Sequence, residues 1–295
     1  MISKKPKAVI TYLAGVTPGD VVDLKVSLSL LHKNFNSTFG YPVVIFHENF
    51  SEEIIEEIRS IAGSELQFEK VAFQIPDFLK KETIPERYYG FSIGYRHMCR
   101  FFSSDFFYHP ALKEYEWYLR LDTDSFLIDT VGYDMFAFMA EHEYWYGYNY
   151  MLKDRPEVVV GFWDLTDKYV QNSNIKPYFL NKFVKNGAWD NTCYYANFEI
   201  SNFNFWRSEN VRSYMDFIDK SGGIYNYRWG DTIIKSLAIY LFMPEKKVHN
   251  FKDIPYAHQH FVNLPFARFL LEPFKYLLLW LHYKALVKIK SKVPL

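Results

Sequence analysis

Glu116-Trp117-Tyr118-Leu119-Arg120-Leu121-Asp122-Thr123-Asp124 is the stretch that decides the fold. Residues 116–121 favour a β-strand, and that strand runs directly into two carboxylates one residue apart. In an open α/β sheet, ligands bind outside the carboxyl ends of the strands, which is where such a turn would lie. Two carboxylates there can converge on a hard divalent cation, and the cation can in turn neutralise a pyrophosphate. Asp-x-Asp also occurs in plain solvated turns, so the rest of the chain has to support the reading.

Upstream, strand and helix patterns alternate. Residues 7–13 are a compact apolar run of strand length, and residues 20–35 place Val22, Val26, Leu30 and Leu31 at helical spacing. Residues 41–47 are a second β-branched run. Ser51 then caps a helix over residues 52–62 that stops at Gly63, and residues 66–73 alternate as a third strand. Residues 90–107 carry a long helical pattern. Helices lying between strands imply parallel pairing and an α/β sandwich.

Composition narrows the class. The 295 residues carry 34 Lys+Arg against 34 Asp+Glu, and zero net charge argues against a nucleic-acid partner, which needs a basic surplus. Aromatic residues make up 20% of the chain, enough to fill a large core or to stack on flat ligand faces such as bases and sugar rings. Only Cys99 and Cys193 are present, which excludes a disulfide-framed module and leaves one bridge or two buried thiols open. Gly90-x-x-x-Gly94 lacks the spacing and the Lys of a phosphate loop. No dinucleotide fingerprint, nucleophile elbow or zinc helix competes for the function.

Three further candidates lie downstream. Glu199, in Asn197-Phe198-Glu199-Ile200-Ser201, sits among Tyr194, Tyr195, Phe198, Phe203 and Trp206. A carboxylate in such a setting is paired, shifted in pKa or poised against a cationic sugar; the plainer alternative is a buried Glu paired with Arg207 or Arg228. Arg228-Trp229-Gly230-Asp231 opens a helix with Asp231 in its first turn, a favourable place for a carboxylate and equally consistent with a cap. His258 closes the run Asp253-Ile254-Pro255-Tyr256-Ala257-His258, as a ligand or as a structural side chain. From Phe266 onward Leu, Phe, Tyr and Trp mix with Lys and Arg, which reads as a basic amphipathic tail. Such a tail either makes peripheral contact with an anionic membrane or packs on the core.

Taken together, these blocks resemble the fungal α-1,2-mannosyltransferases, glycosyltransferase family 15. The resemblance rests on Tyr95-Arg96-His97-Met98-Cys99-Arg100-Phe101, Arg120-Leu121-Asp122-Thr123-Asp124 and Asn197-Phe198-Glu199-Ile200. It rests further on Asp219-Lys220-x-Gly222-Gly223, Arg228-Trp229-Gly230-Asp231 and the segment from Asp253 to His258, all in family order over about residues 8 to 262. It implies a GT-A-like fold, a nucleotide-sugar donor, a glycan or glycoconjugate acceptor and transfer with retention at the anomeric carbon. It implies Mn²⁺ or another divalent cation held by Asp122 and His258 with Asp124 beside them, an oxygen-and-imidazole set that suits Mn²⁺. Tyr12, Tyr95 and Arg96 join Asp122 and Asp124 as the residues expected at the nucleotide sugar. Glu199 is the implied nucleophile, and Asp231 would shape the sugar and acceptor site.

The family usually has Glu-Pro-Asp where this chain has Asp122-Thr123-Asp124, which shortens the first carboxylate by one methylene. Family members usually carry an N-terminal membrane helix in the Golgi, whereas the opening residues here run from a basic start into a strand. That leads to an expectation of cytoplasmic or peripheral membrane placement. The expected architecture is α/β: a GT-A-like catalytic domain over residues 1–262 with a Rossmann-like mixed sheet flanked by helices, then the amphipathic tail over residues 263–295. The expected activity is metal-dependent mannosyl transfer from GDP-mannose. The alternatives are another nucleotide-linked hexose or pentose, a carbohydrate-binding protein that has lost catalysis, or a membrane-surface scaffold.

Overall fold

A computed structural model describes residues 5–265 together with Leu270. The amphipathic tail expected from residue 263 lies almost wholly outside the described residues. Among the described residues, no helix is long and apolar enough to cross a membrane.

The strands of three or more residues, in chain order, are β1 (Ala8–Ala14), β2 (Val43–His47), β3 (Leu66–Lys70), β4 (Trp117–Leu121), β5 (Ser125–Leu127), β6 (Tyr146–Tyr148), β7 (Met151–Lys153), β8 (Thr192–Tyr194), β9 (Phe198–Asn202), β10 (Val248–Asn250), β11 (Tyr256–His258) and β12 (Phe261–Asn263). The helices used below are α1 (Pro18–Leu31), α2 (Glu52–Ala62), α3 (Ile93–Ser103), α4 (Met135–Glu141), α5 (Phe162–Ser173), α6 (Glu209–Lys220) and α7 (Asp231–Phe242).

Seven strands form one mixed sheet in the order β10-β6-β9-β4-β1-β2-β3. β1, β2, β3 and β4 run parallel, as the interleaved helices require, and β9 inserts antiparallel between β4 and β6. Period-two alternation sorts the side chains to two faces. Ile10, Leu119, Leu121, Phe198 and Ile200 pack on one face with Leu24 and Leu28 of α1 and Phe136 of α4. Val9, Tyr118 and Tyr146 pack on the other with Cys99 of α3 and Ile234 and Leu237 of α7. The aromatic excess is mostly core: Phe106 lies edge-on to Tyr118 with centroids 5.0 Å apart, and Phe107 stacks on Trp206 at 4.9 Å. Cys99 and Cys193 are both buried and free, so the open question of a bridge resolves to two thiols.

The early elements follow the sequence closely. Ser51 accepts from the Ile54 amide at 3.3 Å to cap α2, which ends at Gly63 with φ +60. Two ranges need correction. β3 ends at Lys70, short of residue 73. The pattern over residues 90–107 gives a shorter helix, α3, capped by Ser92 and broken at Ser104 (φ −144, ψ −81) before a 3₁₀ turn over Asp105–Tyr108. The apolar periodicity continues across that break because the turn also faces the core, with Phe106 and Phe107 buried.

A second, three-stranded sheet, β12-β11-β5, positions the site. β11 pairs antiparallel with β5 and sets His258 opposite Ser125, directly after the Asp122–Asp124 turn. Ser125 fastens the turn: its hydroxyl donates to the Asn197 carbonyl at 2.9 Å and lies 2.7 Å from the Tyr256 hydroxyl.

Candidate active site

Asp122, Asp124 and His258 converge at the carboxyl end of β4, the central position the sequence indicated. One ligand atom from each lies within 4.8 Å of the others. Bonds of about 2.2 Å from one cation place its ligands about 3–4.5 Å apart, so the cluster has the right spread for a divalent ion. His258 Nε2 lies 3.1 Å from Asp124 Oδ1, and Gln259 donates to Asp124 Oδ2 at 3.2 Å. Asp122 and Asp124 remain partly open to solvent while His258 is buried. Burial pushes the Asp122 carboxyl above its usual range, against the pull of Arg120 and His258.

Below this cluster lies a buried array of alternating charge. Arg120, on β4, donates from Nε and Nη2 to Asp122 Oδ1 at 3.2 and 3.0 Å, and from Nη1 to Asp231 at the first turn of α7. Burial opposes the charge on Arg120, but Asp231 and Asp122 outweigh it and hold its pKa above the usual value. Glu199, opposite Arg120 in the register of β9 and β4, pairs with Lys235, one turn beyond Asp231 on α7. Asp231 and Lys235, four residues apart, lie on one face of the helix and meet Arg120 and Glu199 on the sheet. Four carboxylates (Asp122, Asp124, Asp231 and Glu199) stand against two buried cations (Arg120 and Lys235), a surplus equal to the charge of one divalent ion.

Glu199 is fully buried and both its oxygens are taken. Oε1 accepts from Tyr118 at 2.9 Å and from Lys235, and Oε2 accepts from Tyr146 at 3.3 Å. The aromatic setting is real, and within it both carboxylate oxygens are engaged by Tyr118, Tyr146 and Lys235. The charged partner of Glu199 is not one of the arginines considered. Arg207 donates to the carbonyls of Phe107, Leu112 and Tyr115, and Arg228 turns to Asp154 and Tyr95.

Tyr95 and Arg228 lie near Asp231. Arg228 donates to the Tyr95 hydroxyl at 2.6 Å and to Asp154 at 3.2 Å, and its guanidinium lies 4.0 Å from the Phe91 ring centroid. Its backbone is left-handed (φ +57), an unfavourable conformation for a residue with a side chain. Two of the residues expected at the nucleotide sugar are fully buried with their polar groups engaged. Arg96 is fully buried and spends its guanidinium on the carbonyls of Ser92, Pro85, Glu86 and Tyr225. Tyr12 is fully buried beneath the sheet and bonds Ser27 at 3.0 Å; Ser27 in turn donates to the Ser125 carbonyl, so Tyr12 braces the Asp122–Asp124 turn from behind. Arg120 and Lys235 belong to the charged array without any expectation from the sequence, although Arg120 lies within a quoted block and Lys235 one helical turn beyond another.

The profile of the glycolipid 2-alpha-mannosyltransferase family matches residues 2–275. Glycolipid 2-alpha-mannosyltransferase of Saccharomyces cerevisiae is 34% identical over 281 residues, covering 88% of this chain and 62% of that protein. Glycolipid 2-alpha-mannosyltransferase 2 of Candida albicans is 30% identical over 283 residues, covering 89% of this chain and 61% of that protein. The chain therefore spans about six-tenths of the length of these curated relatives, 62% and 61%. Among solved structures, core-mannan synthase A from Aspergillus fumigatus, in its Mn/GDP form, superposes with a TM-score of 0.82 at 27% identity, covering 90% of this chain and 78% of that one. The mannosyltransferase Ktr4p from S. cerevisiae in complex with GDP gives 0.81 at 28% identity, covering 88% and 73%.

Proposed function

The chain belongs to the glycolipid 2-alpha-mannosyltransferase family, and on that premise we propose that it is a metal-dependent retaining glycosyltransferase that moves mannose from GDP-mannose to a glycan hydroxyl. The observation that carries this reading is the convergence of Asp122, Asp124 and His258 at the end of β4. The same fold binds Mn and GDP in core-mannan synthase A.

Asp122, Asp124 and His258 would hold Mn²⁺, which when bound offsets the charge gathering on the departing diphosphate. The remaining work falls to residues of this chain. Arg120 fixes Asp122 on one side and Asp231 on the other, so the carboxylates keep their places before substrate arrives. Asp231, at the start of α7, shapes the floor where the sugar would lie. Glu199 and Lys235 support that floor from below as a neutral pair. Tyr95, held by Arg228, would present its hydroxyl towards donor or acceptor.

The test is a donor panel. With Mn²⁺ and a mannoside acceptor, GDP-mannose should be consumed, an α-mannosidic product should form, and EDTA should abolish both. Consumption of a UDP-linked donor in place of GDP-mannose would overturn the donor assignment. Full turnover in EDTA would overturn the metal.

A further inference from the structure

Asn197 is buried, at 2% exposure, yet neither polar atom of its side chain has a hydrogen-bond partner. Asn149, Asn250 and Arg228 each have one unpaired atom, but each also keeps a partner. Among the described residues, Asn197 alone has both side-chain polar atoms buried and unpaired. A buried amide with no bonds is costly, and in a folded protein such a group points to a ligand or an ordered water.

The sheet register says where that ligand would be. Leu121 pairs with Phe198 and Arg120 with Glu199, so Asn197 comes opposite Asp122, whose amide donates to the Asn197 carbonyl at 3.1 Å. Asn197 sits in the turn that leads into β9, and carrying the strand's alternation one residue back puts its side chain on the face of Glu199, Arg120 and Asp122. Its backbone therefore lies beside Asp122, at the cluster proposed to hold the cation.

Chemistry narrows the occupant. A carboxamide offers two N–H donors and a carbonyl acceptor, and a sugar hydroxyl both donates and accepts, so neighbouring hydroxyls of one ring can satisfy both ends of the amide. Diphosphate oxygens only accept, and would leave Oδ1 facing negative charge. We infer that Asn197 is a donor-sugar contact that binds hydroxyls of the transferred pyranose and leaves the nucleotide and its diphosphate to other residues. This deepens the proposed function and rests on it.

The test is calorimetric titration of the full chain, with Mn²⁺ present, using GDP-mannose and separately GDP. Asn197→Ala and the near-isosteric Asn197→Leu should each weaken GDP-mannose binding by about tenfold, the worth of one good hydrogen bond, and leave GDP within about twofold. Because the native amide is unpaired, neither variant should lower the melting temperature, and the Leu form supplies the answer if the Ala form does not fold. Unchanged affinity for both probes, as an ordered water alone would give, overturns the assignment, and so does an equal loss for both. Wild-type protein that binds neither probe overturns the proposed function and this inference with it.

Discussion

Glu199 and Lys235 show how one pair of residues can be read in two ways. From the sequence, a carboxylate among aromatics resembles a group aimed at a cationic sugar. In the fold it is half of a sealed ion pair whose lysine lies 5.2 Å from the Trp206 ring centroid. Burial lowers the Lys235 pKa and Glu199 opposes that shift, so removing the carboxylate strands a cation in the core. Glu199→Gln or Lys235→Met alone should cost about 3–5 kcal/mol, and the double variant should recover most of it. Denaturant melts on the four proteins measure this. Turnover of the stable double variant should stay within about tenfold of wild type, and a fall beyond ~10² would return Glu199 to the chemistry. The clustering of Asp122, Asp124 and His258 was legible because Asp-x-Asp at a strand end and a downstream His carry their own chemical signal. Lys235 was not, because in a helix as apolar as Asp231–Phe242 a lone Lys gives no sign of which carboxylate it will meet. The absence of any partner for Asn197 is likewise visible only once its neighbours are placed.

At the scale of elements, the strands and capped helices of the first half were readable because local rules decide them: Ser51 and Gly63 delimit α2, and β-branched runs mark β1 and β2. The break after α3 was hidden because buried aromatics continue through it, and the antiparallel insertion of β9 depends on pairing with distant strands. Two predictions belong here. A Cβ on Gly147 of β6 would strike Phe251 and Ile200, so Gly147→Ala should destabilise by about 1–3 kcal/mol, measurable as a lower melting temperature. His47, at the end of β2, is buried with Nδ1 accepting from the Phe50 amide at 2.9 Å, and His109 Nδ1 accepts from Ala111 at 3.3 Å. Burial lowers both pKa values below 6.5, with Lys70 adding to the shift at His47. The unfolded chain takes up protons at these sites as pH falls through 6.5 and the folded chain resists, so stability is full above that value and is lost below it. Asp122 and Asp219, raised by burial, act in the opposite sense but nearer 3.8. Melts at about pH 7.5 and about pH 5.5 should show the lower temperature at the acid end, and an equal or higher value there contradicts this account.

For the whole molecule, the site is assembled from segments far apart in the chain, the β4 turn, the start of β9, the first turn of α7 and the end of β11, and only the two sheets together bring them to one place. That assembly leaves a negative surplus, and on the proposed function a divalent cation would balance it and a diphosphate could then approach. The most direct test is calorimetric titration of GDP into the wild-type chain and into His258→Ala, each with Mn²⁺ and again with EDTA. Wild-type protein should bind GDP with Mn²⁺ and lose that binding in EDTA. His258→Ala should bind at least ~10-fold more weakly with the metal present while melting close to wild type. GDP binding that survives EDTA unchanged, or that His258→Ala leaves intact, would contradict the claim that these three residues hold one cation for the donor.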